Sequence, residues 1–147
     1  MNKQTKLNSN YLLYLFDFMY FDTLYSGTEL FQGGCLISKN NAYFLRVEEN
    51  GYFSVYASSH FHPLNRISSI DKEKQLNKGE PPYTLKLTHE GVIEINDSKN
   101  IEILKIIGEI GIGPYKLQLS LEGDVKLFDS KGEEVWGLKR EIIKLKK

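Results

Sequence analysis

"YFLRVEENGYFSVYA" at Tyr43–Ala57, "YTLKLTHEGVIEIND" at Tyr83–Asp97 and "YKLQLSLEGDVKLFD" at Tyr115–Asp129 are three copies of one pattern. Each opens on tyrosine and sets apolar residues at every second position: Tyr43, Leu45, Val47; Tyr83, Leu85, Leu87; Tyr115, Leu117, Leu119. A glycine follows in register (Gly51, Gly91, Gly123), and then a second alternating run: Phe53, Val55; Ile93, Ile95; Val125, Leu127. Apolar residues at a period of two mark a strand with one buried face, so each copy reads as a β-hairpin. Such a unit cannot bury its apolar face alone, and three of them require a shared core.

Parity fixes the turn. Val47 and Phe53 face the same core only if they stand opposite each other, which pairs position 48 with 52 and leaves Glu49, Asn50 and Gly51 as the loop. A three-residue hairpin loop is a type I turn closed by a residue with positive φ, forming a G1 bulge, and glycine takes that φ without a Cβ penalty. Beyond each hairpin an apolar residue recurs at a constant distance, Leu64, Leu104 and Trp136, so each unit is expected to add a further inward-facing strand. Gly27–Ile37, "GTELFQGGCLI", supplies strands before the first hairpin, and Gly79–Pro82 and Gly108–Pro114 are turn-rich joints. Asp71–Lys78, "DKEKQLNK", is the most polar stretch and reads as an exposed loop.

The chain has 147 residues, one domain's length, and 41% hydrophobic against 26% charged residues exclude global disorder. Nine Tyr and eight Phe favour strands. The 19 basic and 19 acidic residues cancel, which argues against nucleic acid as a partner, because phosphate binding needs a basic surplus on one face. Cys35 is the only cysteine, so no internal disulfide forms and the fold does not depend on an oxidising compartment. Within "GGCLIS" it reads as a small core hydrophobe. Tyr11–Phe21, "YLLYLFDFMYF", is too short to span a bilayer, is broken by Asp17 and lacks a small-x-small cleavage site. It is expected to be a strand or short helix sealing the core. A cytoplasmic location is expected, with secretion as the alternative.

The residues resemble the bulb-type, mannose-binding lectin domain of monocots. The resemblance is carried by "DTLYSGTEL" at Asp22–Leu30 with Gly33-Gly34 after it, by the repeat itself, and by "DSKGEEVWGL" at Asp129–Leu138. It implies an all-β fold, the β-prism II, with three four-stranded antiparallel sheets in pseudo-threefold symmetry over residues 22–138. Residues 1–21 are then an N-terminal extension and 139–147 a C-terminal strand or basic tail. It further implies a non-catalytic sugar-binding module without a cofactor.

In that family mannose is held by Q-x-D-x-N-x-V-x-Y in each repeat. The first copy places Glu48, Asn50, Tyr52, Ser54 and Tyr56 there, and only Tyr56 matches. The second has Thr88, Glu90, Val92, Glu94 and Asn96, with no match, and the third has Ser120, Glu122, Asp124, Lys126 and Phe128, with none. By the hairpin parity these positions point away from the core. Glutamine and asparagine amides both donate and accept, whereas an ionised carboxylate only accepts. Each partner lost costs about 1–3 kcal/mol. Mannose-type binding is therefore expected to be weakened or altered, with Glu48, Asn50, Tyr52, Tyr56, Glu122, Asp124 and Phe128 as the candidate ligand-binding residues. Tyr52 and Tyr56 offer rings for the apolar face of a sugar. The family's usual tryptophans are replaced by Leu64 and Leu104 in the first two units.

Three other patterns are weaker. His60 and His62 form H-x-H in "SSHFHPL"; two ligands without a third read as exposed loop histidines before Pro63, with His89 the one candidate to join them in space. "GEIGIGP" at Gly108–Pro114 has the wrong spacing for a phosphate loop. Glu48, Glu49, Glu122 and Asp124 would need a cleft to act as a glycosidase pair, which a convex hairpin face does not offer. The expected partner is carbohydrate. The alternative is a protein ligand on a scaffold that has lost its sugar sites, and a homodimer through the strand "REIIKLKK" at Arg140–Lys147 is a further expectation.

Overall fold

The computed structural model describes residues 21–70 and 79–139. The segment from Tyr11 up to Phe21, the stretch Asp71–Lys78 and the stretch Arg140–Lys147 lie outside the described residues. So do the expectations placed on them.

Twelve strands follow one another: β1 (Thr23–Tyr25), β2 (Thr28–Phe31), β3 (Cys35–Ile37), β4 (Phe44–Val47), β5 (Phe53–Tyr56), β6 (Arg66–Ile70), β7 (Thr84–Leu87), β8 (Val92–Asn96), β9 (Glu102–Ile107), β10 (Lys116–Leu119), β11 (Val125–Phe128) and β12 (Glu134–Leu138). They form three four-stranded sheets in the orders β3-β4-β5-β6, β2-β7-β8-β9 and β1-β10-β11-β12. Every pairing is antiparallel. Each sheet is thus one repeat hairpin, the strand that follows it, and one strand drawn from Thr23–Ile37. Among the described residues no helix is long and apolar enough to cross a membrane.

The hairpins take the expected register. Val47 stands opposite Phe53, Leu87 opposite Ile93 and Leu119 opposite Val125. Glu48 N–H donates to Tyr52 O at 2.7 Å and Gly51 N–H to Glu48 O at 3.2 Å, and the other two turns repeat both bonds. Gly51, Gly91 and Gly123 have φ of 88°, 83° and 91°, the left-handed region in which a Cβ is penalised. The inward positions form one core: Leu45, Val47, Phe53, Val55, Leu85, Leu87, Ile95, Leu117, Val125 and Leu127 have no more than trace exposure. Burying each such side chain contributes about 1.5–3 kcal/mol against the entropy of ordering it.

The third strands break the symmetry. Ile95 faces Leu104 and Leu127 faces Trp136, but Val55 faces Ser68. Leu64 does not point inward; it lies 87% exposed in a single 3-10 turn, Pro63–Asn65. The cause is the residue that closes each hairpin. Asp97 Oδ1 accepts the N–H of Lys99 and of Ile101, and Asp129 Oδ1 accepts those of Lys131 and Glu133, which ties the β8–β9 and β11–β12 links into tight turns. The first copy has Ala57 there and no acceptor, so its link runs on through Pro63. The backbone N–H of Ile101, joined by those of Glu80 and Lys99, holds the Asp97 carboxyl below its usual value against the opposing effect of burial.

Candidate functional site

The outer face of the first sheet is built by residues that alternate with the core set. On β4 these are Phe44 and Arg46, continued by Glu48, and on β5 Ser54 and Tyr56. The long β5–β6 link folds back over this face and lays the Phe61 ring on it. That ring meets Tyr56 edge-on at 5.2 Å, Phe44 edge-on at 6.3 Å, and the Arg46 guanidinium at 4.6 Å. The contact with Arg46 has cation–π geometry.

Beside this ring lies a polar cleft of about 320 Å³ lined by Arg46, Glu48, Glu49, Asn50, Tyr56 and Arg66. The Tyr56 hydroxyl donates to Glu48 Oε1 across the cleft floor. Burial, the bond to Glu48 and the Glu48 charge together push the Tyr56 phenol up to about 12, with Arg66 and Arg46 pulling the other way. Asn50 Oδ1 accepts the Tyr52 N–H at 3.1 Å, which orients the amide at the rim. Arg66 enters at the start of β6, directly opposite Tyr56.

The structure therefore brings Glu48, Asn50 and Tyr56 together and removes Tyr52 from them. Both tyrosines are buried, at 2% and 4% exposure, but Tyr52 belongs to the core cluster while Tyr56 lines the cleft, so the expectation that Tyr52 points outward is corrected. β5 is buried along its whole length on both faces, and alternation in sequence reports only the inner one. Glu122, Asp124 and Phe128 do not share the cleft. Glu122 is exposed at the third turn, where its N–H and that of Asp124 both donate to Ser120 Oγ. Phe128 lies half-buried with Lys116 Nζ 5.7 Å from its ring centre. Sequence reading missed Arg46, Arg66 and Phe61. Arg46 was detectable, because it shares a strand face with Glu48 two residues on. Phe61 and Arg66 were not, since the fold-back of the link brings Phe61 here and the pairing of β6 with β5 brings Arg66.

A second concavity, apolar and about 670 Å³, runs along β1, β2 and β3 and is walled by Tyr25, Phe31, Cys35, Phe44 and Phe61. Glu29 is the one charged side chain among its described lining. Phe61 lines this concavity and touches Arg46 and Tyr56 of the polar cleft. Cys35 is half-buried opposite Arg46, and burial raises its thiol above the usual value, which makes it a poor nucleophile. His60 and His62 are exposed, and His62 Nδ1 accepts the Leu64 N–H at 3.1 Å. His89 packs instead against Gly27. Among the described residues no three His, Cys, Asp or Glu side chains converge as metal ligands.

No family model matches the chain, and no curated protein matches it. Solved structures do. The Marasmius oreades lectin superposes with a TM-score of 0.65 at 19% identity, over 82% of this chain and 92% of its own. A monomeric monocot mannose-binding lectin from Gastrodia elata gives 0.64 at 19%, over 79% and 94%. The mannose-specific agglutinin of snowdrop (Galanthus nivalis) bulbs, complexed with methyl-α-D-mannoside, gives 0.61 at 16%, over 74% and 90%. The likeness establishes the architecture: three four-stranded antiparallel sheets arranged as in the β-prism II of bulb-type lectins.

Proposed function

We propose that this chain, which carries the fold of the bulb-type lectins, is a non-catalytic carbohydrate-binding module whose site is the cleft of the first hairpin. One observation carries the reading. Tyr56, Glu48 and Asn50 stand at three positions of the lectin sugar motif, and they converge on a single cleft with a hydrogen bond between Tyr56 and Glu48. The Tyr56 hydroxyl donates to Glu48 and keeps lone pairs with which to accept, and the Asn50 amide does both. A saccharide hydroxyl needs partners of that kind, because each one is donor and acceptor together. The corresponding tyrosine position is Asn96 in the second repeat and Phe128 in the third, so neither reproduces the pair. Glu122, Asp124 and Phe128 are a weaker, separate candidate.

Titration of 15N-labelled protein with millimolar monosaccharides, mannose among them, tests the reading by NMR. The expected result is a saturating shift of the Glu48, Asn50 and Tyr56 amide peaks with at least one sugar. Peaks in the first hairpin that stay still with every saccharide would overturn it and leave a protein ligand as the reading to pursue.

A further inference from the structure

The cleft is electrostatically unlike the equivalent faces of the other two sheets. Arg46 occupies the second outward position of the repeat pattern, where the second and third repeats have Lys86 and Gln118. Lys86 faces Glu94 across the strands, and Gln118 faces Lys126, whose ammonium lies 3.9 Å from Glu134. Each of those cations has a carboxylate across the strands, whereas the carboxylates near Arg46 are Glu48, two residues on along its own strand face, and Glu49 in the same cleft. Arg46 faces Ser54, whose hydroxyl is already bonded to Ser69 at 2.9 Å, and has Cys35 on its other side. Among the described residues the ion pairs are Lys99–Glu80, Lys105–Glu102 and Lys126–Glu134, so neither Arg46 nor Arg66 is neutralised by one. Arg46 Nε is buried with no hydrogen-bond partner. A guanidinium that packs 4.6 Å from the Phe61 ring centre and lines the cleft is positioned to take a carboxylate there.

On the reading of this cleft as a carbohydrate site, we propose that it selects acidic saccharides, taking the sugar carboxylate on Arg46 with Arg66 beside it. Glu48 and Glu49 in the same cleft do not oppose this; they restrict it. A bare anion such as acetate meets their charge. A sugar acid instead brings hydroxyl donors for Glu48 along with a carboxylate for the arginines, and so satisfies both signs at once. The two arginines and Glu48 thereby dictate which end of the ring enters, a distinction that a neutral hexose does not exploit.

The test compares matched pairs differing only at C6: mannuronate with mannose, glucuronate with glucose and galacturonate with galactose, each as the methyl glycoside, by calorimetry at low salt. In at least one pair the acid is expected to bind about tenfold or more tightly than its neutral partner, the scale of charge-assisted hydrogen bonds. That ratio is expected to shrink as salt is added and to fall to about one in Arg46→Gln. Arg66→Gln, at an exposed position, is expected to reduce the ratio several-fold, and it serves where Arg46→Gln fails to fold. An acid preference unchanged in both variants overturns the assignment to the arginines. Neutral sugars that bind as tightly as their acids in every pair overturn the proposal while leaving the carbohydrate reading intact. No binding by any member of any pair overturns both.

Discussion

Gly123 packs against the ring of Tyr43: a Cβ placed on this glycine would stand 2.9 Å from Tyr43 Cδ1. The same relation runs around the molecule. Gly51 abuts Tyr83, at 3.1 Å from its Cε1, and Gly91 abuts Tyr115 at 2.8 Å. The turn of each hairpin thus seats on the opening tyrosine of the next repeat, and the third returns to the first. The two most constant positions of the repeat, which lie eight residues apart in sequence, are contact partners between neighbouring units. Glycine is required there twice over, for its φ and for the missing Cβ.

Gly123→Ala is therefore expected to cost about 2–4 kcal/mol, the sum of a positive-φ penalty and overlap with Tyr43 and Ile67. Gly132→Ala is the control: its φ is 81°, but a Cβ there meets nothing within 4 Å. It should cost only the backbone share, about 1–2 kcal/mol. Urea unfolding of both variants measures the difference, and equal losses would show that the tyrosine seat contributes nothing.

Ser68 is the weak point of the core. It stands opposite Val55 at the place where the other sheets put Leu104 and Trp136, is 2% exposed, and its hydroxyl has no hydrogen-bond partner. A buried hydroxyl without a partner costs about 1–3 kcal/mol. Ser68→Ala removes that cost and opens almost no cavity, so it is expected to raise the unfolding midpoint, by about 1 kcal/mol in free energy. A lowered midpoint would mean that the hydroxyl is bonded in solution.

Tyr56 supplies a pH signature. Its phenol is pushed up to about 12, above its ordinary value near 10. Between those values the folded chain keeps a proton that the unfolded chain releases, so stability from this group is complete below pH about 10 and lost as pH rises towards 12. Absorbance titration of phenolate should show a late-ionising tyrosine that disappears in Tyr56→Phe. A late step that persists unchanged in the variant would assign it to another tyrosine; Tyr83, whose phenol is also raised, is the first to examine.

Much of the fold was legible in the repeat, for reasons visible in particular residues. Val47 and Phe53, and their counterparts, have to face one side, which sets both the register and the three-residue turn. Leu64 was misread because constant spacing was extended across a link whose length varies. The missing acceptor at Ala57, where the other repeats have Asp97 and Asp129, was the available warning. Tyr52 was misread because alternation says which residues face the core but is silent on whether anything covers the other face.

The sequence by itself determined the unit: a hairpin closed by glycine, made three times, with one apolar face that only the other copies can cover. Period-two patterning and positive φ are local constraints, and they act wherever the chain is. Only the tertiary structure decided which strand of Thr23–Ile37 completes each sheet, that Tyr52 is lost to the core, that Arg66 joins Arg46, Glu48, Asn50 and Tyr56 at one cleft, and that Phe61 packs on Arg46 and Tyr56 beside it. Those placements depend on how a loop folds back and how sheets meet at their edges, where contacts far apart in the chain compete and no local pattern records the winner.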